Sequence, residues 1–184
     1  MANALVLLAD GFEDVEAVTV VDVLRRGGVT AVTASVGANR VVTSAHGIRM
    51  EADAPLSEAA GAEFDALILP GGGKGTEALA ASSAVLNRLR RQKDEGRLIC
   101  AICAAPTVLV KAGVLDPGQQ VTCYPTCADG LDRPCAGVPV VRDGNVITGE
   151  APGASMLFAL VVLEAIRGED VARQVRDGLV TDVL

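Results

Sequence analysis

Residues 97–111 read RLICAICAAPTVLVK and pass directly from one kind of structure to another. Arg97–Ile102 is a short, almost wholly apolar run, the pattern of a strand covered on both faces. Pro106 to Lys111 reads as a helix ending at Gly113, with proline in the first turn, where its missing N–H costs nothing. Only Cys103, Ala104 and Ala105 lie between them, so a buried strand must turn sharply into a helix.

The same grammar recurs upstream. Ala4–Ala9 (ALVLLA) is an apolar run closed by Asp10-Gly11. Val15, Val18, Val21 and Leu24 then recur at helical spacing, with Arg25-Arg26 and Gly27-Gly28 as stop signals. Thr30–Val36 is β-branched and strand-like, and Asp65–Leu69 (DALIL) is a buried strand broken by Pro70-Gly71-Gly72-Gly73. Ser83–Glu95 reads as a helix stopped by Gly96. A small hairpin is expected within Val41–Met50 around His46-Gly47, and another where Val138–Arg142 and Asn145–Thr148 flank Asp143-Gly144. Helices are expected from Pro152 to Arg167 and over Glu169–Arg176. Strands alternating with helices predict one doubly wound α/β domain over residues 1–184, with a mostly parallel sheet between helices.

Composition narrows the function. The 184 residues are 50% apolar but only 2% aromatic, so Ala, Val, Leu and Ile must build the core. A net charge of -7 argues against a nucleic-acid groove. The run Met156–Leu163 falls far short of the ~20 residues of a membrane span. The start Met1-Ala2-Asn3 lacks a basic leader, and five cysteines without a secretory signal point to free thiols in the cytoplasm. One histidine leaves little room for a His-built metal site or a Cys–His pair.

In an open parallel sheet, ligands bind beyond the carboxyl ends of the strands, so the turns after Ala9, Leu69 and Ile102 should converge. Cys103 then sits on an elbow of the kind that exposes a nucleophile, and a helix N-terminus is expected to lower its thiol pKa. In the first turn, Glu13, Asp14 and Glu16 suit a helix start. Glu16 lies closest to the buried face, and beside a thiolate its carboxyl would be kept protonated. Pro70-Gly71-Gly72-Gly73 lets backbone amides approach a ligand and form an oxyanion hole, whereas its spacing does not fit a nucleotide phosphate loop.

Other constellations compete. Cys100-x-x-Cys103 has redox-motif spacing, but Cys100 lies inside the strand and reads as a buried structural residue. Cys123 and Cys127 complete a near zinc-ribbon pattern that lacks knuckle turns, and Cys123 is a candidate resolving thiol for Cys103. His46 is expected at a hairpin tip, solvated or at a dimer contact and away from the convergent turns. Arg88, Arg90 and Arg91 read as a solvated helix face.

Taken together, ALVLLADGFEDVEAVTVVDVLRRGG, FDALILPGGGKGTEAL, LICAICAAPTVLV, VTCYPT and TGEAPGAS resemble the ThiJ/PfpI superfamily, its DJ-one-like branch in particular, over about Leu5 to Val175. The resemblance implies a flavodoxin-like sandwich and a homodimer, with no cofactor and no metal. It implies Cys103 as the reactive, oxidation-prone cysteine, Glu16 as the protonated acid at its sulfur, and Gly72 and Ala104 as amide donors to an oxyanion. Gly71, Tyr124, Glu150 and Pro152 would line the pocket, and Arg25 and Arg26 would face the dimer. The activities implied are glyoxalase III-like or protein deglycase chemistry on small α-oxoaldehydes or glycated protein side chains, in carbonyl and oxidative stress protection. A redox sensor or chaperone working through Cys103 oxidation is the alternative. Tyr124 stands where some members place a His, and Glu150 where Arg or Gln is commoner. Ala104 after the cysteine, where the protease branch has His, disfavours a peptidase.

Overall fold

Alternate residues of the apolar strands enter two separate cores, which is why these runs are apolar throughout. The computed structural model describes residues 1–181. In chain order the elements are β1 (Asn3–Leu8), α1 (Asp14–Arg26), β2 (Thr30–Ser35), β3 (Val41–Thr43), β4 (Arg49–Glu51), β5 (Ala54–Pro55), α2 (Leu56–Ala59) and β6 (Ala66–Leu69). They continue with α3 (Gly73–Ala81), α4 (Ser83–Asp94), β7 (Leu98–Ile102), α5 (Pro106–Ala112), β8 (Val140–Asp143), β9 (Val146–Gly149), α6 (Ser155–Arg167) and α7 (Glu169–Gly178). Short 3-10 turns occupy Pro125–Gly130 and Pro152–Ala154.

The sheet order is β5-β2-β1-β6-β7-β9-β8, with every neighbouring pair parallel except β8 and β9. This is the doubly wound, flavodoxin-like α/β arrangement. On one face Val6, Leu8, Ile68, Cys100 and Ile102 pack with residues of α1 and α6 such as Val20 and Phe158. On the other face Leu5, Leu7, Leu67, Leu69 and Ile99 pack with Leu79, Leu89 and Leu109 of α3, α4 and α5. Each such fully buried side chain is worth about 1.5–3 kcal/mol in transfer free energy. No helix among the described residues is long and apolar enough to cross a membrane.

Three local expectations are corrected, and one element is added. Residues 73–81 form α3, which the residue pattern does not announce, because Gly73 and Gly75 lower helix propensity. On α1 the buried stripe is Glu16, Ala17, Val20, Val21, Val23 and Leu24, while Val15 and Val18 are 51% and 53% exposed. Arg88 is not solvated but only 3% exposed, its guanidinium 5.8 Å from the centre of the Phe64 ring. The helix expected from Pro152 begins at Ser155, whose hydroxyl donates to the Pro152 carbonyl at 2.7 Å.

Candidate active site

The strand order reverses at β1, so the turns after β1 and β6 flank the crevice that this topology leaves at its carboxyl edge. The two turns are stitched together: the Glu13 amide donates to the Gly71 carbonyl at 3.0 Å and the Gly75 amide to the Gly11 carbonyl at 3.3 Å. Gly72 has φ 89°, and a Cβ there would lie 2.2 Å from the Gly11 carbonyl oxygen, so only glycine allows this approach.

The elbow between β7 and α5 is strained. Cys103 has φ 64°, a left-handed conformation that costs a non-glycine residue on the order of 1–3 kcal/mol. Its backbone is anchored on both sides: its amide donates to the Gly149 carbonyl at 2.9 Å, and its carbonyl accepts from the Tyr124 amide at 2.8 Å. Its sulfur lies close enough to the Gly72 and Ala104 amides for both to favour negative charge on it. The residue is 8% exposed.

Glu16, in the first turn of α1, is 1% exposed. Its Oε2 accepts the Gly71 amide at 2.7 Å, and its carboxyl interacts directly with the Cys103 thiol. Oε1 is buried and has no partner of ordinary hydrogen-bond geometry among the described residues. A Cβ on Gly71 would fall 2.7 Å from the Cys103 Cβ and 2.9 Å from Glu16 Oε2, so Gly71 is the spacer that lets acid and thiol share one site.

The electrostatics correct the expectation of a simply lowered thiol. Burial, then the charge of Glu16, push the Cys103 thiol up to about 12 against the amides of Gly72 and Ala104. Burial likewise raises Glu16 to about 7, opposed by the Gly71 amide. The two groups titrate as a pair: the first proton leaves near neutrality, and the second is then held between carboxylate and thiolate. The amides of Gly72 and Ala104 favour negative charge on the sulfur without overcoming burial and the charge of Glu16.

The other expected residues are distributed unevenly. Tyr124 is exposed and joins the elbow through its backbone. Glu150 follows β9, its amide bonded to the Pro139 carbonyl at 2.9 Å and its carboxylate close enough to act on the Cys123 thiol. Pro152 opens the 3-10 turn before α6. Arg25 and Arg26 lie in the last turn of α1, at the opposite end of that helix from Glu16. Arg25 folds back on Asp53 at 3.0 Å and on the Ala31 carbonyl, and Arg26 pairs with Asp22 at 2.7 Å. Neither reaches the elbow. The thiol that Cys123 meets is Cys135, at 3.8 Å, and not Cys103.

His46 is also corrected: it is exposed but not remote. The hairpin β3–β4 docks on the first turn through Gly11 N to Thr43 O at 2.7 Å and Ala45 N to Phe12 O at 2.8 Å. This places His46 Nδ1 2.7 Å from Asp14 Oδ2. Glu13, Asp14 and His46 form a cluster with metal-compatible spacing, although the short His46–Asp14 contact is that of a hydrogen-bonded ion pair. A pocket of about 520 Å³ opens beside it, between Asp10, Gly11, Thr43, Ser44, Ala45, Gly73 and Lys74. Backbone docking of this kind leaves no pattern of residue types to read.

With this geometry in view, comparison with known proteins is informative. A model of the DJ-1/PfpI family matches residues 2–165. Protein dj-1beta of Drosophila melanogaster is 39% identical over 180 residues, covering 96% of each chain. Its crystal structure superposes with a TM-score of 0.93 over 97% of both chains. A Caenorhabditis elegans protein named glutathione-independent glyoxalase DJR-1.2 is 34% identical over 174 residues, 91% of this chain and 90% of that one. The structure titled "Toxoplasma gondii DJ-1, oxidized" is 30% identical, with a TM-score of 0.95 over 99% of this chain and all of that one.

Proposed function

The chain belongs to the DJ-1/PfpI family, and from that premise we propose that it is a cysteine-dependent, cofactor-free enzyme acting on methylglyoxal, glyoxal or their adducts on protein side chains. One observation carries the reading: Glu16 and Cys103 meet across Gly71, with the amides of Gly72 and Ala104 on the sulfur. A glyoxalase name on a relative covering nine-tenths of the chain supports the same substrate class.

The chemistry needs no electron carrier, because conversion of an α-oxoaldehyde to a hydroxy acid is an internal redox shift followed by hydrolysis. The Cys103 thiol passes its proton to the Glu16 carboxylate as its sulfur adds to the aldehyde carbon, forming a C–S bond and an oxyanion within reach of the Gly72 and Ala104 amides. Glu16 gives its proton to that oxygen. As a carboxylate it then takes the proton from the same carbon and returns it to the neighbouring ketone carbon, while the hydroxyl proton passes to the former ketone oxygen, leaving a thioester. Water cleaves the C–S bond, releasing lactate or glycolate and restoring the thiol. Glu16 thus does the proton transfers for which a histidine would otherwise serve. On a glycated side chain the Cys103 sulfur replaces the amine or thiol at the carbinol carbon, the C–N or C–S bond to the side chain breaks as Glu16 protonates the departing group, and the same later steps follow.

The test compares methylglyoxal consumption by the wild type and Cys103→Ala in amine-free buffer. Loss of consumption in the variant is expected, and equal rates overturn the proposal.

A second reading is favoured by the same donors. Two amides and a protonated carboxyl around sulfur also suit a sulfinate, so oxidised Cys103 would act as a redox sensor or switch on chaperone behaviour. Here mild peroxide should add two oxygens to Cys103 before the other four thiols, with little turnover of methylglyoxal. The exposure of Val15 and Val18 on α1, and of Ile48 on the hairpin, supports a homodimer built on these apolar side chains. Light scattering should then show two chains, and one chain for Val18→Glu. Free thiols throughout suit a cytoplasmic setting.

A further inference from the structure

Cys123 and Cys135 are not accounted for by the chemistry at Cys103. Their sulfurs lie 3.8 Å apart, in van der Waals contact and unbonded. They face each other across the ends of one loop. Val121 and Cys135 form an isolated parallel bridge, and the Ala136 amide donates to the Val121 carbonyl at 2.9 Å. The near end of the loop is fixed to the sheet through Thr122 N to Thr148 Oγ1 at 2.9 Å, and to the elbow through Tyr124 N to Cys103 O at 2.8 Å. Between the two thiols run Tyr124 and the 3-10 turn Pro125–Gly130.

We infer that Cys123 and Cys135 form a reversible intramolecular disulfide, separate from Cys103, that clamps the loop carrying Tyr124. The two thiols are unequal in the way a stepwise oxidation requires. Cys135 is partly exposed and lines a surface pocket of about 580 Å³ with Gln119, Arg133 and Pro134, which gives a small oxidant access. Burial opposes its ionisation, but backbone hydrogen bonds at Gly137 and Cys123 prevail and lower its pKa. Cys123 is fully buried, and burial and the Cys135 thiol push it up to about 12. Within this pair Cys135 is therefore the thiol oxidised first and Cys123 the resolving one.

With a hydroperoxide as oxidant, the Cys135 thiolate attacks oxygen, the O–O bond breaks, and a sulfenic acid forms as the first water or alcohol leaves. The Cys123 thiol gives its proton to the departing hydroxide and attacks the Cys135 sulfur. The S–O bond breaks, a second water leaves, and the S–S bond forms. The peroxide gains the two electrons that the two thiols lose. Closing the contact shortens the sulfur–sulfur separation from 3.8 Å to a bond of about 2.05 Å.

The test treats the full chain with hydrogen peroxide, alkylates the remaining thiols, and maps unreduced fragments after cleavage before aspartates. Asp129 and Asp132 then separate Cys123 from Cys135. The expected product joins these two fragments within one chain, with Cys127 alkylated, and dithiothreitol dissolves it. It should form equally in Cys103→Ser and be lost in Cys135→Ser. Because the pairing is read in the wild type, misfolding of a variant does not decide the result. Any other pairing, a cross-link only between chains, Cys135 oxidised without a cross-link, both thiols unchanged, or dependence on Cys103 overturns the inference. Proteolysis within residues 124–134 should be severalfold slower in the oxidised chain, and unchanged cleavage overturns the clamp.

Discussion

Glu16 Oε2 accepts the Gly71 amide at 2.7 Å, which ties the carboxyl of α1 to the turn after β6 and commits one oxygen to the backbone. The other oxygen is buried without a partner of its own, and the carboxyl meets the Cys103 thiol. A carboxyl in this position resists ionisation, because charge there is paid neither by water nor by a cation.

Glu16→Gln should therefore separate stability from activity. The folded-state pKa of about 7 lies above the ordinary value of 4.5, so the folded chain binds more protons than the unfolded one between these limits. The contribution of Glu16 to stability is then complete below pH 4.5 and is lost as pH rises through 7, by on the order of 3 kcal/mol. Glutamine removes this slope and keeps an acceptor for Gly71. Urea unfolding at pH 5 and pH 8 should show the variant gaining on the wild type at the higher pH, while methylglyoxal turnover falls about 100-fold or more. Identical pH slopes in the two proteins would contradict the assignment of the raised pKa to Glu16.

Gly71→Ala tests the spacer. Gly71 is not among the positive-φ glycines, so alanine fits its backbone, but its Cβ would press on the Cys103 Cβ and Glu16 Oε2. Overpacking should cost about 1–3 kcal/mol. Alkylation of Cys103 by iodoacetamide should change in rate well beyond what this loss explains. A variant that is destabilised but keeps wild-type Cys103 reactivity would rule out the spacer role.

His46 is the only histidine, so its proton NMR titration is a single unambiguous curve. Its hydrogen bond to Asp14, then the charges of Glu13 and Asp14, raise its pKa above the ordinary 6.5. The contribution of His46 to stability is complete below pH 6.5 and is lost as pH rises through the raised value. Asp14→Asn should bring the midpoint back toward 6.5, and an unchanged midpoint would show that the hairpin does not dock as described.

Arg88→Met should stabilise the chain. The guanidinium is buried, none of its nitrogens has a hydrogen-bond partner among the described residues, and it lies over the Phe64 ring. Replacing it with an apolar side chain of similar reach removes a desolvated charge and keeps the packing, for a gain of about 1 kcal/mol or more. Thermal unfolding measures this, and a lower Tm would point to an ion or polar group satisfying Arg88.

Legibility in the sequence followed the range of the interaction. β1, β6, β7 and α5 were readable because covered strands need unbroken apolar runs and their ends need Gly, Pro or Asp. α3 was not, because Gly73 and Gly75 look like loop while the helix is held by Leu79 in the core. The buried stripe of α1 was displaced from Val15 and Val18, since helical spacing alone does not say which of two adjacent stripes faces the sheet. Cys103 and Glu16 were identifiable as candidates because an elbow between strand and helix and an acid in a first turn are local patterns.

The chain alone thus determined the order of strands and helices, their parallel winding and the three turns that meet at one edge. These follow from apolar runs and turn residues within about ten positions of one another. Only the tertiary structure decided that the thiol is raised rather than lowered, that His46 sits on Asp14, and that Cys123 faces Cys135. Each depends on burial or on contact between segments distant in the chain, and desolvation is a property of the assembled surroundings that no single stretch of residues carries.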